Sequence, residues 1–372
     1  MPLSNIRVMV VDDSPLIREI ICDLLAESPG IEVAGTATDG SDAVKKLDEL
    51  RPDVITLDFQ MPKMDGLETL DAILAKRPTP VIMVSAQTQR AADTTLAALD
   101  HGALDYLAKP EGSATRLETM REELIKKIRA AAGTDVQRVL RIRSERRERM
   151  EERRKNRQTD PVTNQETKPF GDKCLAIGIS TGGPPALTGL FEALHPPMPP
   201  IVIVQHMPAQ FTSSFAERLN SISDLSIKEA ATGDVLKPNH VFIAPGGTHL
   251  HLAKRGAFVK TRIQDGDPVS GHKPSVDVMM QCAAEIFGDR CLGVIMTGMG
   301  RDGVEGCQAV KAAGGYVLGQ DQATSDVYGM NKAAFVEGHV NRQFALQDAA
   351  TVIRAHMNRL WNTETRELAH QA

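Results

Sequence analysis

Short apolar runs alternate with longer stretches of helical apolar periodicity in both halves of the 372-residue chain. A short, continuous apolar run predicts a strand buried on both faces, as in a parallel sheet. A longer periodic stretch predicts a helix that packs on such a sheet. The alternation predicts an α/β protein with two sheets, because the chain is long for a single core.

Acidic residues end two of the runs in the first half. Arg7-Val-Met-Val-Val11 is followed by Asp12 and Asp13, and Val54-Ile-Thr-Leu57 is followed by Asp58. Because parallel strands present their carboxyl ends at one edge of a sheet, we expect the three carboxylates to lie close together. Their mutual repulsion favours a bound cation, and Mg²⁺ prefers such oxygen ligands. A cation there would orient a phosphoryl donor toward Asp58, whose carboxylate can accept the group.

Two further strand ends fit the same chemistry. The run Pro80-Val-Ile-Met-Val-Ser85 ends in a hydroxyl, and Tyr106-Leu-Ala-Lys109 ends in an ammonium group. Both groups bind phosphoryl oxygens. Turn chemistry explains any one of these residues equally well, since strands often end in Asp or Ser. Five of them at matching strand ends favour a phosphoryl-transfer site.

Three segments of the first half resemble the receiver domain of bacterial response regulators. They are Val11-Asp-Asp-Ser14, Leu57-Asp-Phe-Gln-Met-Pro-Lys-Met-Asp-Gly66 and Gly102-Ala-Leu-Asp-Tyr-Leu-Ala-Lys-Pro110. The resemblance covers residues 4–125 and implies a flavodoxin-like receiver domain that a partner histidine kinase phosphorylates.

The receiver resemblance also implies roles for individual residues. Asp58 is the phosphorylation site, Ser85 and Lys109 bind the phosphoryl group, and Tyr106 is the switch aromatic. The implied Mg²⁺ ligands are Asp12, Asp13, Asp58 and the carbonyl of Gln60. Gln60 is a departure from the family pattern, since Glu is frequent there.

Composition limits the classes of protein that the chain fits. With 42% hydrophobic and 24% charged residues, it has the composition of a globular protein. Its apolar runs fall short of the ~20 residues that span a bilayer, so we expect no membrane insertion. The first residues lead directly into the first strand and leave no room for a signal peptide, which predicts a cytoplasmic protein. Five scattered cysteines predict reduced, mostly buried thiols rather than a zinc site.

Charge is distributed unevenly along the chain. The net charge of −5 argues against a nucleic-acid-binding surface on the whole protein, but residues 138–157 contain ten Lys or Arg and four Glu. Such a run could contact phosphate or an acidic partner, although a solvated helical extension is the more frequent explanation. Residues 158–169 are polar and nearly lack large apolar side chains. We therefore predict a charged linker over 126–170, followed by a second domain over 171–364.

Strand and helix patterns resume in the second half. Apolar runs begin at Cys174, Pro200, Val241 and Cys291, with plausible helices over 211–221, 275–287 and 302–313. This alternation predicts a second, mostly parallel sheet. Residues 249–262 alternate differently and predict an inserted hairpin.

The segment Gly178-Ile-Ser-Thr-Gly-Gly-Pro184 follows the first of these strands and has three interpretations. A phosphate loop would need Lys and Ser or Thr where Pro184 and Pro185 stand, which argues against it. A nucleophile elbow would expose the hydroxyl of Ser180 at a strand-to-helix turn. A purely structural interpretation makes Ser180 a helix N-cap. A base and an acid at the same sheet edge would favour the elbow.

Two residues fit these roles. His206 directly follows the strand ending at Gln205, and Asp302 lies just after the strand ending at Met296. A serine hydroxyl needs a histidine to take its proton, and the histidine needs a carboxylate to fix its tautomer. The chain order Ser, His, Asp differs from that of α/β-hydrolases. Rival bases are His240, His249, His251 and His272, and the rival acid is Asp277.

The glycines of Thr297-Gly-Met-Gly300 would let the backbone approach a reacting carbonyl closely. A backbone N–H in this segment could stabilise an oxyanion. We predict that the N–H of Met299 has this role.

Five segments of the second half resemble the catalytic domain of the chemotaxis protein-glutamate methylesterases, the CheB family. They are Gly178-Ile-Ser-Thr-Gly-Gly-Pro-Pro-Ala-Leu187, Gln205-His-Met-Pro208, Ile243-Ala-Pro-Gly-Gly-Thr-His-Leu250, Pro274-Ser-Val-Asp277 and Met296-Thr-Gly-Met-Gly-Arg-Asp-Gly303. The resemblance covers residues 172–362 and implies a Rossmann-like, doubly wound domain with the triad Ser180, His206 and Asp302. The charged linker is a departure from the family pattern.

The resemblance implies a phosphorylation-activated hydrolase that demethylates glutamate methyl esters on chemoreceptors and deamidates certain glutamines. It implies no cofactor for the hydrolase site, a chemotaxis histidine kinase as phosphodonor, and an unphosphorylated receiver that covers the active-site face. The alternative from another class is a response regulator with a non-catalytic output domain that binds a nucleotide or, through the basic segment, DNA. No helix-turn-helix pattern supports the DNA-binding form.

Overall fold

The computed structural model describes residues 5–86, 89–109, 114–156 and 170–361. The chain forms two compact units, Met1–Arg143 and Ser144–Ala372. Each unit is built around its own parallel sheet. Among the described residues, the longest helices carry too many polar residues to cross a bilayer.

The first unit contains a five-stranded parallel sheet in the order β2-β1-β3-β4-β5. Its strands are β1 (Ile6–Val11), β2 (Ile31–Ala37), β3 (Val54–Asp58), β4 (Val81–Ser85) and β5 (Asp105–Ala108). Its helices are α1 (Pro15–Ala26), α2 (Gly40–Leu50), α3 (Gly66–Lys76), α4 (Gln89–His101) and α5 (Ala114–Ala132). This strand order is that of the flavodoxin-like fold, as predicted.

Local chemistry explains where these elements begin. Every residue of β3 and β4 is buried, as expected for strands that helices cover on both faces. Helix α1 starts where the Ser14 hydroxyl caps the N–H of Ile17 and Pro15 occupies the first turn. Helix α3 starts at a capping box between Asp65 and Glu68. Each of these helices therefore begins directly after a loop at the carboxyl edge of the sheet.

The first part of the predicted linker is helical. Residues 126–132 complete α5, whose Ile128 and Ala131 are buried in the core of the first unit. Helix α6 (Val136–Asn156) follows, and its Val139 and Arg143 are also buried. The apolar periodicity of α5 continues past the predicted boundary, which explains the difference. Residues 157–169 of the predicted linker lie outside the described residues.

The second unit contains a seven-stranded parallel sheet in the order β14-β13-β12-β6-β7-β9-β8. Its strands are β6 (Cys174–Ile179), β7 (Ile201–Gln205), β8 (Ser226–Glu229), β9 (His240–Ile243), β12 (Cys291–Ile295), β13 (Tyr316–Gln320) and β14 (Arg342–Phe344). The predicted hairpin is a separate antiparallel pair, β10 (His249–Arg255) and β11 (Phe258–Gln264).

Helices follow the strands of the second unit along the chain. They are α7 (Gly183–Ala193), α8 (Ala209–Ile222), α9 (Val276–Phe287), α10 (Val304–Ala312), α11 (Met330–Val336) and α12 (Ala349–Trp361). From β6 the chain proceeds to β7 on one side and later returns to β12 on the other. The doubly wound topology predicted from sequence is therefore present. Its switch point lies between β6 and β12, where such sheets open a crevice at their carboxyl ends.

Candidate active site and phosphorylation site

Strand register brings three predicted residues to the switch point of the second sheet. Ile179 pairs with Gln205, so the next residues, Ser180 and His206, lie side by side. Strand β12 pairs with β6 on the opposite side and leads into the loop that carries Asp302.

These side chains form a continuous hydrogen-bonded chain. Ser180 Oγ lies 3.1 Å from His206 Nδ1, and His206 Nε2 lies 2.7 Å from Asp302 Oδ2. Since a carboxylate only accepts, Nε2 carries the proton and Nδ1 is free to accept from the serine hydroxyl. The two ring nitrogens have exchanged roles relative to the chymotrypsin arrangement. The sequence motifs did not predict this exchange.

Asp302 is fully buried and held by four donors. Besides His206, it accepts hydrogen bonds from the Ser275 hydroxyl at 2.8 Å, the Val276 N–H at 2.7 Å and the Asp277 N–H at 3.0 Å. Burial raises the pKa of Asp302, but His206 and the N–H groups at the start of α9 outweigh burial and lower it to about 2. Asp302 is therefore a carboxylate that keeps its charge at neutral pH.

Backbone contacts fix the position of Ser180. Its N–H donates to the Thr297 carbonyl at 2.9 Å, and its carbonyl accepts from the Gly183 N–H at 2.8 Å. Gly298 is required beside it, because a Cβ there would lie 2.8 Å from the Ser180 Cβ. The backbone of Ser180 is therefore held in the turn that precedes α7.

Most of the rival residues make other contacts. Asp277 accepts from the N–H groups of Gly303 and Gly306 at the start of α10, and from the Ser270 hydroxyl. Among the histidines, His240 contacts the Pro238 carbonyl, His249 the Asp267 carbonyl and His251 the Cys282 thiol. His272 differs from these three, because its ring stacks on His206 with 3.9 Å between centroids.

Met299, predicted to stabilise an oxyanion, lies in the loop after β12. The preceding N–H, that of Gly298, donates to the Val327 carbonyl at 3.0 Å and so does not point to a substrate. Within the described part of the chain, the Met299 N–H has no protein acceptor. Met299 is half-buried, two residues beyond the Thr297 carbonyl that holds Ser180.

Sequence reasoning missed two supporting residues. Gln205 is buried, and its Nε2 donates at 3.0 Å to the carbonyls of both Ser180 and His206. Ser275, the N-cap of α9, donates to Asp302. A polar residue that ends an apolar strand, as Gln205 does, was an available signal. The role of Ser275 depends on tertiary contacts that no local pattern specifies.

The acidic residues of the first unit also come together. Strand β1 pairs with β3 so that Val11 faces Leu57, and Asp12, Asp13 and Asp58 follow. Carboxylate oxygens of the three residues lie within 4.8 Å of one another. Lys109 Nζ lies 2.9 Å from Asp12 and 2.8 Å from Asp58.

Electrostatics at Asp58 reflect this crowding. Burial raises the pKa of Asp58, and Asp12 adds to that effect, while the hydrogen bonds from Lys109 and the Gln60 backbone N–H lower it. Because Lys109 supplies one positive charge for three carboxylates, the cluster retains excess negative charge. Hard carboxylate oxygens at this spacing fit Mg²⁺. The predicted contact of Mg²⁺ with the Gln60 carbonyl stays a prediction.

Of the remaining predicted residues, Ser85 lies at the carboxyl edge of the sheet, whereas Tyr106 lies within β5 and pairs with Met83. Ser85 ends β4 and is buried, and its carbonyl accepts from the Lys109 N–H at 2.8 Å. Tyr106 is buried in β5, and burial raises its pKa well above the ordinary value. Lys127 Nζ lies 5.3 Å from the centre of its ring.

An acidic cluster beside a lysine on one sheet, in the same chain as a serine–histidine–aspartate arrangement on another, defines a response regulator with a hydrolase output. Family models agree with both parts. The response regulator receiver domain matches residues 8–121, and the CheB methylesterase model matches residues 175–353.

Whole-length relatives share this architecture. A protein-glutamate methylesterase/protein-glutamine glutaminase of Syntrophotalea carbinolica is 42% identical over 93% of this chain and 96% of its own. One of Caulobacter vibrioides is 43% identical over 92% and 96%. The CheB methylesterase catalytic domain of Thermotoga maritima is 40% identical, with a TM-score of 0.47 over 48% of this chain and 95% of its own. The chain belongs to the CheB methylesterase family, and the non-catalytic alternative finds no support.

Proposed function

We propose that the chain is a phosphorylation-activated serine hydrolase that demethylates glutamate methyl esters on chemoreceptors and deamidates certain receptor glutamines. The observation that carries this proposal is the Ser180–His206–Asp302 hydrogen-bonded chain at the switch point of the sheet. Membership of the CheB family supports it, since its named relatives carry both activities. The proposed substrate lies on the cytoplasmic helices of the receptors, which agrees with the predicted cytoplasmic location of the enzyme.

Acylation begins at Ser180. His206 Nδ1 takes the hydroxyl proton while Oγ attacks the ester carbonyl, and Asp302 stabilises the imidazolium that forms. The tetrahedral intermediate expels methoxide, which takes the proton from His206 and leaves as methanol. An acyl-enzyme at Ser180 remains. With a glutamine substrate, the same step releases ammonia.

Deacylation repeats the sequence with water. His206 takes a proton from water as its oxygen attacks the acyl carbonyl, then returns the proton to Ser180 Oγ as the glutamate carboxylate leaves. In both steps the developing oxyanion needs a donor. We assign the Met299 N–H as this donor, because the neighbouring Gly298 N–H already donates to the Val327 carbonyl.

Control resides in the acidic cluster of the receiver. We assign Asp58 as the acceptor of a phosphoryl group from a chemotaxis histidine kinase, and Ser85 and Lys109 as ligands of its oxygens. Tyr106 is the switch aromatic of this proposal. Mg²⁺, held by Asp12, Asp13, Asp58 and the Gln60 carbonyl, would supply positive charge to the transferring phosphoryl oxygens.

The test is methanol release from a methylated receptor fragment, measured with and without a small phosphodonor. We expect release that increases with the donor, together with covalent labelling of Ser180 by a serine-directed phosphonate. A full-length protein that neither releases methanol nor is labelled would reject the hydrolase. Binding to DNA with a steep salt dependence would then favour the non-catalytic alternative.

A further inference from the structure

The ring of His272 lies flat against the ring of His206. Their centroids are 3.9 Å apart and their planes differ by only 5°. The edge of the His206 ring is already occupied by Ser180 and Asp302. We propose that His272 is a positioning residue, which holds the catalytic ring in plane and stabilises its charged form; this rests on the function proposed above.

The first part of the argument concerns ring orientation. The terminal torsion of a histidine has a broad energy profile, so the ring turns about its Cβ–Cγ bond at little cost, and this turning misaligns Nδ1 with the serine hydroxyl. A flat partner at stacking distance blocks that motion on one face. The His206 side chain is 10% exposed, so few other groups can move into the space. The stack therefore keeps Nδ1 directed at the serine hydroxyl.

The second part concerns charge. When His206 takes the serine proton it becomes an imidazolium, and an aromatic face stabilises a cation that lies over it. His272 Nδ1 lies 2.9 Å from the Ser270 carbonyl, which can only accept, so Nδ1 carries a proton. In the neutral ring, Nε2 is then unprotonated and the π face adds no positive charge. This contribution is larger in the transition state than in the ground state, which is the condition for catalysis.

A tight turn holds His272 in this place. Val269 and His272 exchange two backbone hydrogen bonds, and both intervening residues, Ser270 and Gly271, have positive φ, as a type I′ turn requires. The Ser270 hydroxyl donates to the buried Asp277 at 2.7 Å. Asp277 also accepts hydrogen bonds from N–H groups at the start of α10. The turn that carries the stacked ring is therefore held by a residue that also holds the start of α10.

A shared metal ion explains the stack less well. Ligand atoms of His206, His272 and Asp302 lie close enough to hold an ion. A metal ion must lie in the plane of each imidazole that binds it, and two parallel rings this far apart cannot both meet that condition. Moreover, both His206 nitrogens already have partners. The parallel arrangement of the two rings is that of a stacking interaction.

The experiment compares His272→Ala and His272→Phe in the full-length, phosphorylated enzyme. Two quantities are measured: kcat and KM for methanol release, and the rate constant for phosphonate labelling of Ser180. We expect His272→Ala to lower kcat and labelling roughly ten- to thirtyfold with KM nearly unchanged. Phenylalanine restores the flat face without the imidazole nitrogens, so it should recover most of the loss. His251→Ala, on the hairpin, is the matched control and should behave as wild type.

Other outcomes overturn the proposal. Unchanged kcat in His272→Ala would mean that the stack does not matter, and a change confined to KM would indicate substrate binding. A phenylalanine variant as slow as alanine, with an unchanged thermal midpoint, would show that a nitrogen of His272 is required. Full activity in Ser180→Ala, measured alongside, would instead reject Ser180 as the nucleophile of the proposed function, and a wild-type protein that releases no methanol would reject the proposed hydrolase itself.

Discussion

The Ser180 hydroxyl forms a hydrogen bond with one side chain within the described residues, that of His206. The backbone bonds of Ser180 to Thr297 and Gly183 do not involve the hydroxyl. Ser180→Ala should therefore leave the fold intact and lower methanol release by ~10⁴-fold or more, as in other serine triads. Adding His206→Ala should cause no further loss, because the residues act as a unit. A folded Ser180→Ala variant that loses less than about tenfold would contradict the triad.

The hydrogen bonds that hold Asp302 beside His206 also affect the stability of the fold. The pKa of this carboxyl is about 2 in the folded protein, against an ordinary 3.8, so folding favours the charged form. The stabilisation is complete above the ordinary pKa and is lost as pH falls through about 2. A shift of this size corresponds to about 2 kcal/mol.

This linkage predicts how Asp302→Asn responds to pH. Asparagine does not titrate, so wild type should lose part of its advantage over the variant as pH falls. From pH 5 to pH 3, the difference in unfolding free energy should shrink by about 1 kcal/mol. Denaturant unfolding of the second unit at both values measures it. A difference that stays constant would mean that the folded carboxyl is not depressed.

At the scale of elements, the strands were predictable because they are buried on both faces. The apolar run from Cys174 to Ile179 coincides with β6, and the helix predicted from Ser275 begins where the Ser275 hydroxyl caps the Val278 N–H. Strand ends also placed Ser180 and His206 together, since neighbouring parallel strands end at the same edge of the sheet. The stacking of His272 was not predictable, because a turn remote in sequence brings it there.

Helix α6 shows that a pattern of charged residues does not predict which of them are buried. The basic segment predicts a solvated helix, yet Arg143 is buried and donates to the carbonyls of Leu99 at 2.7 Å and Ala103 at 3.1 Å. These carbonyls lie at the C-terminal end of α4, where a cation is favourable. A composition count cannot tell which of ten basic residues has this contact.

Arg143 is therefore expected to stabilise the receiver. Arg143→Ala removes two charge-assisted hydrogen bonds and leaves buried carbonyls without a donor, which should cost about 1.5–3 kcal/mol. Calorimetry of the full chain should show a lower midpoint for the receiver transition. Arg141→Ala, exposed on the same helix, is the matched control and should change it little. Equal effects of the two variants would show that Arg143 contributes nothing beyond surface charge.

At the scale of the whole molecule, phosphorylation must control a site in a different unit of the chain. The resemblance predicts that the unphosphorylated receiver covers the active-site face. Phosphorylation would then shift an existing equilibrium toward the open arrangement, by no more than its differential effect on the two states. A low basal rate should remain without it.

Two variants test this control through methanol release, each with and without a small phosphodonor and Mg²⁺. Asp58→Asn should keep the basal rate and fail to respond, because an amide does not accept the phosphoryl group. A fragment beginning near Lys173 should be faster than the unphosphorylated full chain, since the cover is absent. A fragment no faster than the unphosphorylated parent would contradict the cover. Activation would then have to arise by another route, such as receptor docking through the receiver.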